Sequence, residues 1–404
     1  MSSKRKQLKT TKKSSTDDSM KESFSQRIND DLSEVILQFL PLKDKFRFEC
    51  VSKQFQRTVF VKHYELDANS IRSLQSFESM IKKLPNIGSI DLRQTQLDSN
   101  RVIEMIVNNC HNLRDIYFSR VDQKLDKNFV QKFGSKLKGM EVMSKTIGKS
   151  FPNLEIIYGT TPSYVSGLQF NKLKKLSIDC SKGINGFKQF IKNHKSLTHI
   201  SISGLKSQHL EDVFNSLSEL KNLVHFDIDT EINVENESII TALELMSVRC
   251  PKVKSIGCRI TYSTFSDYLN VFKDFKQLKR LNLKLEYDTD TEWYHFEEDP
   301  DMFSADLFNG LSNLTHLTLY CHFEDGYVRL KPNNFDHLEE YLPNLRYLEI
   351  QNNFETYDLL RYVLRGLSKL EVIKLTASDH TLISDLVKNC KKFKYFTELD
   401  EIDE

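Results

Sequence analysis

One spacing, apolar-x-x-apolar-x-apolar, returns thirteen times from residue 87 to nearly the end of this 404-residue chain, and it constrains the fold more than any other feature. Strong members are Ile87/Ile90/Leu92, Leu113/Ile116/Phe118, Leu173/Leu176/Ile178, Leu197/Ile200/Ile202, Leu223/Phe226/Ile228 and Val253/Ile256/Cys258. Leu278/Leu281/Leu283, Leu314/Leu317/Leu319, Leu345/Leu348/Ile350 and Leu370/Ile373/Leu375 continue the series. Leu137/Met140/Val142 is weaker, Leu154/Ile157 lacks its third member, and Phe393/Phe396 is degenerate. First positions lie 17 to 36 residues apart. Stretches of helical spacing follow the signatures, such as 98–109, 208–220 and 357–367; in the first, Val102, Ile103, Ile106 and Val107 form one stripe behind an Asp98 or Ser99 cap. The unit is strand, turn, helix, turn. One such unit cannot cover its own apolar face, so neighbours must stack into a curved parallel sheet lined outside by helices.

This repeat resembles the leucine-rich repeat. Cys110, Cys250 and Cys390 stand three positions before a first apolar residue, and Leu84, Phe151 and Leu342 fill the same slot ahead of proline, similar to the cysteine-containing subclass. The asparagine usual three residues after the third apolar position occurs only at Asn353; Thr95, Val121, Leu205 and Glu286 replace it elsewhere. Seven cysteines without a CxxC pair argue against a disulfide framework or zinc ribbon, and Cys180 and Cys321 read as buried thiols between coils.

Between the buried positions, alternate strand residues face the concave side. The row is acidic at Asp227 and Asp229, basic at Arg259, Arg280 and Lys284, then aromatic at Tyr320 and Tyr347. Arginine and tyrosine on such a wall are protein-binding residues. The stretch 286–301 leaves the rim of this face, half acidic, with the only tryptophan, Trp293, beside Tyr294. It is either a binding loop or a loop whose aromatics fold back over a gap between coils. His199 and His225, on adjacent strands, offer a further alternative as a titrating or metal-binding pair.

A net charge of +1 gives the whole chain no electrostatic preference for nucleic acid or membrane. Without a long apolar run or a secretory h-region, the chain is expected to be intracellular, cytoplasmic and/or nuclear. Residues 1–25, with Lys4, Arg5, Lys6, Lys9, Lys12 and Lys13, read as a disordered tail or a nuclear import signal. There is no GxSxG, no HExxH and no phosphate-binding glycine loop, so neither enzymatic activity nor a cofactor is expected.

Ahead of the repeats, "INDDLSEVILQFL" puts Leu32, Val35, Ile36, Phe39 and Leu40 on one helical stripe and Leu37 on another flank, with Asn29 or Asp30 as cap. Pro41 stops it, Asp44 can cap a second helix with Phe46, Phe48 and Cys50, and Ser52 can start a third with Phe55 and Val59. Three helices this short cannot bury so much apolar surface among themselves, so a partner must cover the rest.

This segment resembles an F-box. Ile28 stands at the leading leucine, Asp30 and Asp31 at the acidic positions, and Leu32, Ile36 and Leu37 at the apolar positions of the first helix. "FLPLKD" (39–44) and "VSKQF" (51–55) match the turn and the end of the pattern, while Asn29 replaces the usual proline. The fold expected is therefore an α/β solenoid: a leucine-rich-repeat horseshoe over 67–404, an all-α F-box of three helices over 26–66 and the tail over 1–25. The resemblance implies a substrate-recognition subunit of an SCF-type E3 ubiquitin ligase. Ile28, Leu32, Ile36, Leu37, Leu40, Pro41, Val51 and Phe55 would dock a Skp-type adaptor and, through it, a cullin. Arg259, Arg280, Lys284, Trp293, Tyr294, Tyr320 and Tyr347 would contact the substrate. The alternatives are a helical cap on the first coil and a repeat scaffold or inhibitor that assembles no ligase.

Overall fold

The computed structural model describes residues 35, 40, 42–47, 60–61, 63–118, 127–232, 237–261, 264–286, 304–321, 335–351, 366–376 and 395–399. The chain forms two compact units, Met1–Ser119 with Asp126–Phe133, and Arg120–Leu125 with Gly134–Glu404.

In the first unit, β1 (Glu65–Asp67), β2 (Ser89–Leu92) and β3 (Asp115–Phe118) pair in parallel and in chain order. The strand β1 precedes every signature in the sequence; Leu66, 1% exposed, is its sole inward residue and pairs with Ile90. Helix α1 (Leu42–Arg47) starts directly after Pro41. Asp44 therefore lies in its first turn, bonded to Arg47 at 2.9 Å, and does not take the capping position expected for it. Helices α2 (Leu74–Lys83) and α3 (Ser99–Asn109) cover the sheet. Ser73 caps α2, and the Asp98 carboxylate accepts from the Asn100 and Arg101 amides to cap α3. Phe46 of α1 lies 5.3 Å from Phe60, and the Lys83 ammonium sits over both rings at 5.7 and 5.6 Å, joining α1 to the first repeat helix.

In the second unit the strands are β4 (Gly139–Val142), β5 (Ile156–Thr160), β6 (Lys175–Asp179), β7 (His199–Ser203), β8 (His225–Ile232) and β9 (Ser255–Thr261). They continue with β10 (Arg280–Glu286), β11 (His316–Cys321), β12 (Tyr347–Gln351), β13 (Val372–Thr376) and β14 (Tyr395–Leu399). Each pairs in parallel with the next in chain order. After α4 (Lys127–Phe133), α5 (Lys145–Ser150) and α6 (Pro162–Val165), the helices of successive coils, α7 (Phe187–Asn193), α8 (Leu210–Leu217), α9 (Glu237–Arg249) and α10 (Phe265–Phe272), pack side by side. This is the α/β solenoid of leucine-rich-repeat type.

The signature residues make the core. From Leu137 to Leu370, every first-position residue is at most 2% exposed. Burying each such side chain contributes about 1.5–3 kcal/mol, which is what holds coil to coil. The incomplete Leu154/Ile157 has a structural explanation. Met140 pairs with Ile157 but Val142 with Thr160, so β5 carries one extra residue and Thr160 fills the third core slot. Its hydroxyl is satisfied there by donating to the Val142 carbonyl at 2.8 Å. The slot three before each first position is also general. Besides Cys110 and Cys250 it holds Phe170, His194, Leu220, Phe275, Leu311 and Leu367, all buried. The thiols of Cys110, Cys180 and Cys250 are buried as expected, which pushes them up to about 11, 12 and 11.

One backbone device sets each strand's start. The Lys174 carbonyl accepts from both the Thr198 and His199 amides, Thr198 from Val224 and His225, and Val224 from Lys254 and Ser255. Lys254, Lys279, Thr315 and Arg346 repeat it, so the first residues of successive strands fall in one straight row.

The expected tail at 1–25 lies outside the described residues, as do most of the first and third N-terminal helices and the helical stretch at 357–365.

Candidate protein-binding surfaces

Of the residues expected to dock an adaptor, Ile28, Leu32, Ile36, Leu37, Pro41, Val51 and Phe55 lie outside the described residues, and Leu40 is half-buried. Val35, in a helical segment, is 48% exposed, and Val61 and Tyr64, where the chain leads into β1, are 46% and 53% exposed. Large apolar side chains are thus left uncovered on this N-terminal element.

The open sheet face of the second unit is ordered in rows by strand register. The first row runs Lys175, His199, His225, Ser255, Arg280, His316 and Tyr347. The second runs Ser177, Ser201, Asp227, Gly257, Asn282, Thr318 and Glu349. A bulge in β8 carries the register from Ile228 to Glu231, and beyond it Arg259, Lys284 and Tyr320 stand side by side.

The expected basic block is largely neutralised inside the chain. Asp229 accepts from the Arg259 guanidinium at 3.0 Å and the Lys284 ammonium at 3.2 Å. Partial burial opposes ionisation of Asp229, but its bonds to Lys284 and then Arg259 prevail and hold its carboxyl below the usual range. Asp227 moves the other way, raised by burial with a further contribution from Asp229, against the pull of Lys284. Its carboxylate leans over Gly257, where a side-chain carbon would come within 2.6 Å of Oδ1. Glycine is the residue that admits it.

The tyrosines are engaged as well. The Tyr347 hydroxyl donates to Glu349, and its ring stacks on His316 with centroids 5.5 Å apart. Burial first, then Glu349, raises Tyr320 and Tyr347 above the ordinary phenol range. Arg280 differs from the other expected contacts: it is exposed and has no ion pair among the described residues. Trp293 and Tyr294 lie outside the described residues.

His199 and His225 are brought together, their rings 5.8 Å apart. Among the described residues no three histidine, cysteine or carboxylate side chains are placed to share a metal ion. Sequence reasoning passed over the rim just before the first row, where exposed Lys254 and Lys279 stand on adjacent coils. The signal was present, as lysine recurs directly after the first apolar position in "LKK", "VKS" and "LKR".

Residues 26–61 match the model of the F-box domain. The chain thus carries an F-box match ahead of residues that form leucine-rich repeats. Among solved structures, a chain of the yeast Rad7 and Elc1 complex is similar at 13% identity and a TM-score of 0.47, over 89% of this chain and 90% of that one. The leucine-rich-repeat-containing protein LegL7 from Legionella pneumophila is similar at 11% identity and a TM-score of 0.38, over 80% and 96%. No curated protein sequence matches this chain significantly.

Proposed function

We propose that this chain is a substrate-recognition subunit of an SCF-type E3 ubiquitin ligase. The F-box would dock a Skp-type adaptor and, through it, a cullin, while the repeats hold a protein substrate. The single observation that carries this reading is the F-box match at 26–61, immediately ahead of stacked repeats. Two structural features support it. Val35, Val61 and Tyr64 leave apolar surface on the N-terminal element for a partner to cover. The Phe46, Phe60 and Lys83 cluster fastens that element to the first repeat helix, so an adaptor bound to one is held at a defined place on the other. On this reading the chain performs no chemistry and carries no cofactor or metal; ubiquitin is transferred by a separate enzyme brought near the substrate.

The test is capture of the adaptor by the full chain. Leu32→Asp with Ile36→Asp should abolish co-purification of adaptor and cullin while the repeats keep their thermal transition. If the intact chain never captures an adaptor, the proposal fails.

A further inference from the structure

From Lys175 to His316 the first row of the open sheet face carries a cation or an imidazole on every strand except β9, where Ser255 stands. Lys175 and Arg280 are exposed, without an ion pair among the described residues, and His199, His225 and His316 stand half-buried in the same row. Lys254 and Lys279, likewise unpaired among the described residues, add positive charge one residue outside it.

Two of the imidazoles are anchored at Nδ1 by the same local device. The Thr198 hydroxyl donates its single proton to the Lys174 carbonyl at 3.1 Å and lies 2.9 Å from Nδ1 of His199. The contact anchors the ring at Nδ1 and leaves Nε2 for a ligand. Thr315 repeats the arrangement, donating to the Lys279 carbonyl at 3.0 Å with Nδ1 of His316 2.9 Å away. Neither Nε2 has a hydrogen-bond partner among the described residues. When protonated, each Nε2 becomes an N–H donor without a partner among the described residues.

We infer that this row, from Lys175 to His316, binds an acidic peptide segment in extended form and takes up protons as it does so. This rests on the substrate-receptor reading and names the substrate's chemical class. With strands about 4.8 Å apart, the row spans roughly 24 Å, the length of about seven extended residues. Carboxylates on alternate residues would meet Lys175 at one end, His199 and His225 next to it, and Arg280 with His316 at the other end. Asp227 stands in the next row, two residues on from His225; a peptide can set neutral residues against it, whereas a phosphate backbone carries a charge at every unit.

The groups facing each imidazole agree with proton uptake. Burial first, then Lys175 and His225, lowers His199; burial, then Arg280 and Lys175, lowers His225; burial, then Arg280 and Arg346, lowers His316. A carboxylate laid against them reverses the cationic part of that effect, so the bound state holds more protons than the free one. Affinity must then rise as pH falls through the histidine range.

The experiment is fluorescence anisotropy of the full chain, with whatever adaptor co-purifies, against labelled glutamate–serine peptides about ten residues long, with glutamine–serine and lysine–serine peptides as controls. The glutamate peptide, still ionised, should bind about tenfold more tightly near pH 6 than near pH 7.5. Lys175→Glu with Arg280→Glu should weaken it at least about tenfold, and the milder Lys175→Gln with Arg280→Gln should do so in part while retaining the wild-type melting temperature. His199→Gln, His225→Gln and His316→Gln together should remove most of the pH dependence. Lys188→Glu, on α7, should change nothing. Equal binding of the glutamine peptide, indifference to the Lys175 and Arg280 changes, or tighter binding of a single-stranded oligonucleotide of equal charge would overturn the inference. Adaptor capture with no peptide binding defeats this inference alone; peptide binding with no adaptor defeats the ligase reading alone.

Discussion

His194 shows how one residue type takes opposite roles in this repeat. It occupies the core slot that cysteine, leucine or phenylalanine fills in other coils, and it is 2% exposed. Its Nε2 accepts from the Phe170 amide at 3.0 Å, its Nδ1 donates to the Phe190 carbonyl at 2.7 Å, and its ring stacks on Phe190 at 4.0 Å. A proton on Nε2 would face an N–H donor, and burial likewise lowers its affinity for that proton despite the bond to Phe190. His194→Leu keeps the volume but orphans the Phe170 amide, so it should cost about 1–3 kcal/mol in urea unfolding. A cost near zero would mean that water reaches that amide. His199 and His316, half-buried on the opposite face, keep Nε2 without a partner among the described residues and so remain available to a ligand.

At the scale of elements, the stripe along α3 and its cap were legible because both are local. Asp98→Ala should therefore destabilise the first unit by about 1 kcal/mol, measured as a shift in its denaturant midpoint. Asp98→Asn should recover most of that loss. Core strands were legible for a similar reason, since a three-residue spacing repeated in register specifies which side chains face inward. What escaped was set by pairing. β1 has one inward residue, Leu66, too little for any spacing to show. The bulge that seats Thr160 exists only relative to Met140 and Val142 on the neighbouring strand. The missing asparagines are likewise answered element by element: Asp67, Asp91 and Asp179 each accept the amide two residues on and close the turn after their strand. On the open face, Arg259 and Lys284 read as free cations because their partner Asp229 lies 30 and 55 residues away in sequence. Arg280 has no ion pair among the described residues, since its row neighbours are Ser255 and His316 and no acid stands beside it there.

For the molecule as a whole, the titrating groups give a pH dependence with a definite sign. His63 in the first unit and His194, His199, His225 and His316 in the second are all lowered, burial being the first cause in each. A histidine lowered by folding binds its proton more readily in the unfolded chain. The stability it contributes is fully present above the unfolded value near 6.5 and is lost as pH falls from there toward the folded value. Asp91, Asp229, Glu155 and Glu219 are lowered by their cationic partners, so their contribution is lost only in the acid range at and below ordinary carboxylate values. Asp227, raised by burial, has the opposite sign, gaining stability as pH falls through its folded value. The melting temperature should accordingly hold steady down to about pH 7 and then decline toward about pH 5, ahead of carboxylate titration. Replacing His199, His225 and His316 by glutamine should flatten part of that decline, and His194→Leu should remove a further part from an already lowered starting point. A melting temperature unchanged across this window would mean that the row's imidazoles titrate as they do in the unfolded chain. The proton uptake argued for peptide binding would then lose its source, even if the peptide itself bound.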